Sequence, residues 1–356
     1  MPIRRLILIT ALVYGIVGFL LLGSGGFGYG LGHAASPDML TIDKQTFPGI
    51  GPLPTAIPQP AGNLNYAAKV SLGKQLYFDG RLSKNNAISC AFCHNPVAGF
   101  ADPNQTSVGV VGKRGGRQAP TVYNTAFNEF QFWDGRAGSL EEQAIGPIHN
   151  PIEMAETHEN VVKKLSQIKG YQEQFQAAFG TGVSIQGIGE AIAAYERTVI
   201  STNSAFDKFV LGDTHAMDES AKRGMAIFTG KGRCIGCHNG SNFTDNHFHN
   251  TGVPQVGPME EDLGRFYVTR REQDRRAFKT PTLRSVMENP PYMHDGAFTT
   301  LEEVVDFYDK GGNANPQLDR LMKPLGLSPE EKTDLIAFLK ALTGEPIPFE
   351  FPTLPE

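Results

Sequence analysis

Cys90-Ala91-Phe92-Cys93-His94 and Cys234-Ile235-Gly236-Cys237-His238 hold all four cysteines of the chain, each pair spaced C-x-x-C and followed directly by histidine. This spacing is the attachment signature of a c-type haem. Two thiols three positions apart on one turn reach the two vinyl groups of a porphyrin. The adjacent histidine then lies under the ring and gives an imidazole to the iron. A four-cysteine zinc site, a redox dithiol and two structural disulfides are the competing readings. Zinc does not ask for a histidine after each pair, and a thioredoxin-like dithiol normally occurs once, within a βαβ pattern that is absent here. The motifs therefore predict two covalently bound haems c.

The two motifs mark an internal repeat, their histidines 144 residues apart. Each follows a short apolar, glycine-containing segment: Leu72-Gly73-Lys74-Gln75-Leu76-Tyr77-Phe78 before the first, Arg223-Gly224-Met225-Ala226-Ile227-Phe228 before the second. Each half also ends in a helix able to pack on its haem. Over residues 184–200, Ile188, Ile192, Tyr195 and Val199 fall on one helical stripe. Ser328-Pro329-Glu330-Glu331 reads as a capping box with proline at the first helical position, leading into Leu335, Ile336, Leu339 and Leu342. Strand signals are few and short. The expected fold is mainly α: two cytochrome c-like domains, each with one covalently bound c-type haem, and long irregular loops. Residues 36–205 form the N-terminal domain, 206–346 the C-terminal domain and 347–356 a tail, with the joint near residues 201–213. Domains of this size are mostly loop unless the haem fills the core, so the cofactor is also structural.

The composition agrees with an ordinary folded protein. Of 356 residues, 40% are hydrophobic and 19% charged, which excludes disordered and fibrous classes. A net charge of −5 and a pI near 6.0 argue against a nucleic-acid partner. Residues 1–35 read as a separate object. Arg4 and Arg5 precede an uncharged run over residues 6–22, followed by a glycine-rich stretch and Ala34-Ala35. That is the layout of a secretory signal peptide. The run is also at the short limit for a membrane span, so a retained inner-membrane anchor fits as well. In either case the body is exported, to the periplasm or the cell exterior.

Longer motifs surround the cysteines: Ala119-Pro120-Thr121-Val122-Tyr123-Asn124, Phe132-Trp133-Asp134-Gly135-Arg136, Asn150-Pro151-Ile152-Glu153-Met154, and Pro291-Tyr292-Met293-His294-Asp295-Gly296. With them, the chain from about residue 60 to 345 resembles the bacterial di-haem cytochrome c peroxidase/MauG family. The resemblance implies that hydrogen peroxide reacts at the N-terminal haem, with Glu153 as the acid–base group. A carboxylate beside the open iron takes the proton from bound peroxide and returns it to the leaving oxygen. Gln143 matches the distal glutamine of the family. Trp133, the only tryptophan, matches the residue that carries an electron or hole between the haems. The resemblance also implies a calcium ion between the domains, held by Gln118 and the carbonyls of Asn289 and Pro291, although asparagine is usual where Gln118 stands. Lys279 and Arg284 are expected to face haem propionates.

Two departures from ordinary di-haem peroxidases follow from the same comparison. Many carry a histidine, between the first haem motif and the tryptophan motif, that blocks the N-terminal iron. Here no histidine lies between His94 and His149, so that iron is expected to be open in the resting enzyme. The second departure is at the other haem, where methionine is the common ligand fourteen residues after the histidine of P-Y-x-H-D-G. Tyr308 stands there, as in MauG-type members, which puts the iron ligands at His94, His238 and Tyr308. An anionic phenolate favours ferric and higher states, whereas a thioether favours ferrous iron. Met287, Met293 and Met322 are out of register and read as core or loop. His215, His247 and His249 read as structural. The surface tryptophan that MauG uses before its second haem motif is absent from Gly230-Lys231-Gly232-Arg233. The expected partners are hydrogen peroxide and either a small electron-donor protein (cytochrome c or a cupredoxin) or a protein substrate whose residues are oxidised. The chain is expected as a monomer or homodimer. A non-enzymatic di-haem electron carrier is the other class, but a carrier has no use for an acid–base group over an open iron.

Overall fold

The computed structural model describes the backbone of residues 40–42 and 45–47, and residues 49–356 in full. The expected signal or anchor lies outside the described residues. Among those described, no helix is long and apolar enough to cross a membrane. The elements run β1 (Leu40–Ile42), β2 (Gln45–Phe47), α1 (Ala67–Phe78), α2 (Cys90–Cys93), α3 (Leu140–His149), α4 (His158–Leu165), α5 (Lys169–Phe179), α6 (Ile185–Glu196), α7 (Ala205–Val210), α8 (Glu219–Thr229), β3 (Phe248–His249), α9 (Phe266–Thr269), β4 (Phe278–Lys279), α10 (Leu301–Asp309) and α11 (Pro329–Ala341). The strands form two small antiparallel pairs, β1 with β2 and β3 with β4. The fold is mainly α, as the apolar periodicity requires.

The repeat is built on one device used twice. In the first half α1 crosses α6, and in the second α8 crosses α11. At each crossing a glycine lets the backbones touch. A Cβ on Gly73 would collide with the Ala191 carbonyl, and one on Gly224 with the Asp334 carbonyl. Ser184 caps α6 by accepting from Gly187 N, and Ser328 with Glu331 closes the capping box of α11. The predicted stripe is buried as expected: Ile188, Ile192, Tyr195 and Val199 join Leu72, Leu76 and Tyr77 in one core. Met225, Phe228, Leu335, Phe338 and Leu339 belong to a second core.

The segment at the joint is itself folded. Within residues 201–213 the chain forms α7, capped by Ser204 and Asp207, and buries Phe206, Phe209 and Val210 in the second core. Their i, i+3, i+4 spacing is helical, but six residues are too few for a periodic signal to stand out. The two cores also exchange their chain ends. Ile50 belongs to the second core and bridges to Gly240. At the other end, Phe351 packs on Phe78 with ring centroids 5.5 Å apart, and Arg81 donates to the Pro355 carbonyl at 3.0 Å. Each half is thus held by a strap from the far end of the sequence.

Candidate functional site

The first candidate site grows from α2 and α3. In α2 the C-x-x-C spacing sets both thiols on one turn, and His94 follows as the C-cap. His94 Nδ1 lies 2.9 Å from the Pro120 carbonyl, which fixes the ring and leaves Nε2 as the ligand nitrogen. Burial lowers the affinity of His94 for a proton, so the imidazole is neutral and ready to bind metal. In the wall of the same cavity, α3 carries Gln143, and the turn that ends this helix carries Glu153. Asn150-Pro151 stops the helix, because a residue before proline avoids the helical region. Asn150 then organises the turn: its carbonyl accepts from Glu153 N at 3.1 Å and its Nδ2 donates to Glu153 Oε1 at 2.8 Å. Burial raises Glu153 above the ordinary carboxylate range, against the pull of Arg136, the Asn150 hydrogen bond and His149. Cys93, His94, Gln143, Glu153, Gln118 and Trp133 all line one cavity of about 460 Å³.

His94 is the sole histidine lining that cavity among the described residues. His149 turns away to an exposed pocket, its ring 5.0 Å from that of His158. The loop that carries no histidine is folded against the glutamate. Val110 N donates to the Glu153 carbonyl at 2.8 Å, and Gly109 N to the Lys113 carbonyl at 2.7 Å.

The second site repeats the pattern. Cys234 and Cys237 flank a short 3₁₀ turn, and His238 Nδ1 lies 3.1 Å from the Phe243 carbonyl. Burial lowers His238 to about 4, so it too is a neutral imidazole. Tyr308, from α10, lines the same cavity as Cys234, Cys237 and His238, and burial holds its phenol well above the ordinary value. Met293 and Met322 also reach this cavity, which their spacing did not show, while Met287 is exposed.

Trp133 is the one described residue that lines both cavities. Its indole Nε1 donates to the Gln118 carbonyl at 2.9 Å, Gln118 N donates to the His294 carbonyl at 2.9 Å, and Lys279 N donates to the Trp133 carbonyl at 2.8 Å. His294 stacks on Phe278, with centroids 3.6 Å apart, and stands 6.5 Å edge-on from Trp133. Arg117 closes the seam, reaching Asp134 at 2.7 Å and Asp262 at 2.6 Å. Gln118 directs its side-chain NH to the Asp102 carbonyl, and Asn289 to the Ser285 carbonyl.

The propionate expectation divides. Lys279 is buried, lines the second cavity and is lowered to about 8 by burial. Arg284 does not face it. Its fully buried guanidinium is spent on Asp207 at 3.0 Å and on the carbonyls of Ser241 and Gly51. The pairing joins positions 77 apart, which no local pattern announces. His249 is structural in a specific way. Asp245 and Asp319 clamp its two nitrogens at 2.8 and 2.7 Å, and Asp245, the Cys237 sulfur and Asp319 together raise it to about 11. Sequence reasoning missed this clamp, Arg117, and Glu196 in the wall of the first cavity.

The residues fit two haems c. The four cysteines form no disulfide; Cys93 with His94, and Cys234 and Cys237 with His238, line cavities far larger than the voids that side-chain packing leaves, and Cys90 stands one turn from Cys93. Known proteins agree. The profile of the family described as "Di-haem cytochrome c peroxidase" matches residues 67–215, and that described as "Cytochrome c" matches residues 221–343. The methylamine utilization protein MauG of Methylorubrum extorquens is 42% identical over 306 residues, 85% of this chain and 86% of that protein. Cytochrome c551 peroxidase of Nitrosomonas europaea is 41% identical over 293 residues, 81% of this chain and 84% of that protein. Among solved structures, a MauG-like protein associated with microbial copper homeostasis superposes with a TM-score of 0.77 at 31% identity, covering 82% of this chain and 95% of that one. The chain therefore belongs to the di-haem cytochrome c peroxidase/MauG family, as a peroxidase-type oxidoreductase with two cytochrome c-like domains.

Proposed function

We propose that hydrogen peroxide is reduced in the first cavity, and that electrons or holes pass between the cavities through Trp133. The observation that carries this reading is the cavity wall itself, where Glu153 and Gln143 stand with His94, the sole imidazole there among the described residues. A haem bound at His94 supplies an iron that receives peroxide and the electrons that split its O–O bond. Glu153 takes the proton from the inner peroxide oxygen and delivers it to the outer one, which leaves as water. The Asn150 amide holds the carboxylate in place, and Gln143 donates a hydrogen bond to the peroxide or a bound water. Trp133, held by the Gln118 carbonyl and the Lys279 backbone NH, spans the seam at fixed geometry. His238 and Tyr308 would hold the second iron.

Tyr308 supports a second reading. A phenolate ligand suits a centre that stores oxidising equivalents, so oxidation of residues on a protein partner competes with a cytochrome or cupredoxin donor as the physiological role. Residues 36–205 and 206–346 serve as the two domains, each strapped by the other's chain end. A calcium ion at the seam would draw on Gln118 and the carbonyls of Asn289 and Pro291. The body acts in the periplasm, delivered by residues 1–35 as signal or anchor.

The experiment is a reaction of the fully oxidised protein with peroxide and with cyanide, without prior reduction. An open first iron gives a high-spin ferric signal and immediate reaction with both. An entirely low-spin protein that stays inert until half-reduced overturns the reading.

A further inference from the structure

Glu196 ends α6, the helix that packs on α1 and α3, and it stands in the wall of the first cavity. It is 5% exposed, and its Oε2 has no hydrogen-bond partner. A buried carboxylate without a partner is among the costliest groups in a core, and the same group carrying a proton costs far less. The charged and titratable groups around it are few. They are Tyr77 from α1, Cys90 from α2, Glu141 from α3, and Tyr195 and Arg197 beside it in sequence. Arg197 makes no hydrogen bond to it: its Nη2 pairs with Glu141 at 2.8 Å and its Nη1 has no partner, so its charge offsets the burial of Glu196 only in part. Burial pushes Glu196 up to about 8, opposed by Arg197 and aided by Glu141.

An electron entering an iron removes one positive charge from a low-dielectric cavity, which strengthens proton binding by any acid in its wall. We propose that Glu196 is the proton acceptor coupled to reduction of the haem in the first cavity. As the electron arrives, a proton from solvent binds the Glu196 carboxylate to give the neutral acid, and it leaves again on reoxidation. Glu153 has a separate task, moving a proton within the peroxide, whereas Glu196 draws on bulk solvent to balance the electron. The inference needs only a haem at His94. It does not depend on the roles of Glu153, Trp133 or Tyr308.

The sign is fixed by linkage. The ferrous form binds the proton more tightly, so rising pH disfavours reduction. The ferrous-to-ferric ratio at fixed potential falls by up to about tenfold per pH unit while Glu196 titrates. The test is a spectroelectrochemical titration of the di-haem protein between about pH 6 and 9, in wild type and in Glu196→Gln. The first-haem midpoint falls with pH in wild type and is flat in the variant, while the second haem behaves identically in both. Infrared difference spectra of wild type gain a protonated-carboxyl band on reduction, which shifts in heavy water and is missing from the variant. A pH-independent wild-type midpoint overturns the proposal. So does a slope that survives in Glu196→Gln, which assigns the proton to another acid of the cavity, Glu153 or a haem propionate. Should the variant fail to take up haem, a wild-type infrared spectrum without a carboxyl gain overturns it alone.

Discussion

Glu153 and Glu196 line one cavity, yet their neighbours differ, and the neighbours decide what each can do. Glu153 accepts from Asn150 and has Arg136 and His149 close enough to favour its charge, so it can hold a proton briefly and release it. Glu196 has only Arg197, which pairs with Glu141 through Nη2 and makes no hydrogen bond to Glu196. Replacing Glu153 by Gln keeps size and hydrogen bonding while removing the shuttle. Peroxide cleavage should slow by about 10²–10⁴-fold, the usual worth of general acid–base catalysis, with haem content unchanged. Stopped-flow mixing with peroxide measures it, and near-wild-type kinetics would move the role to another group. The pH dependence follows from the raised Glu153. Its carboxylate, the form that accepts the peroxide proton, fills in only above the ordinary glutamate range. The rate should therefore rise with pH through that raised value, and this acid limb should vanish in Glu153→Gln.

At the level of elements, the two helix crossings depend on Gly73 and Gly224, where any side chain meets a carbonyl. Helices can separate only by giving up the packing behind them. Gly73→Ala and Gly224→Ala should each cost about 1–3 kcal/mol or more, the range of overpacked cores, and thermal unfolding would register it as a lowered midpoint. An unchanged midpoint in either variant would show that its crossing can open without loss. These crossings also indicate what the sequence could convey. The C-x-x-C-H motifs, the stripe on α6 and the capping box of α11 are local patterns, and each folds as its chemistry dictates. Helix α7 spans less than two turns, too short for its periodicity to stand out within the joint near residues 201–213. The carboxylates around Arg284 and His249, the turning away of His149 and the loneliness of Glu196 are relations between distant positions. Periodicity and spacing carry no trace of them. The approach of Met293 and Met322 to the second cavity is of the same kind, since ring-facing position depends on loops that lack any repeat.

Across the whole molecule, the seam between halves is held by a few long-range contacts around Trp133. Arg117 is central, because it joins Asp134 on one side to Asp262 on the other, both carboxylates nearly buried. Arg117→Ala leaves the buried Asp262 without its cation, while Asp134 keeps Arg136 at 3.0 Å, a loss on the order of 3–5 kcal/mol for a broken buried pair. Calorimetry should show a single cooperative transition in wild type and two separated transitions in the variant; one unshifted transition would exclude Arg117 as the tie. The exchanged straps act alongside it. The linker crosses near Ser201, whose hydroxyl lies 2.7 Å from that of Ser285, and the departing tail is fastened where Glu345 N donates to the Thr202 carbonyl at 2.9 Å. Residue 50 and residues 351–355 add attachments on opposite halves. Two bodies linked at one point can swivel, and at two points can still hinge about the line between them. Links at three well-separated places leave no axis of rotation. The links hold the two cavities at one separation in this structure, so the proposed electron path through Trp133 has a single length there, and driving force and proton supply are the quantities left to tune it.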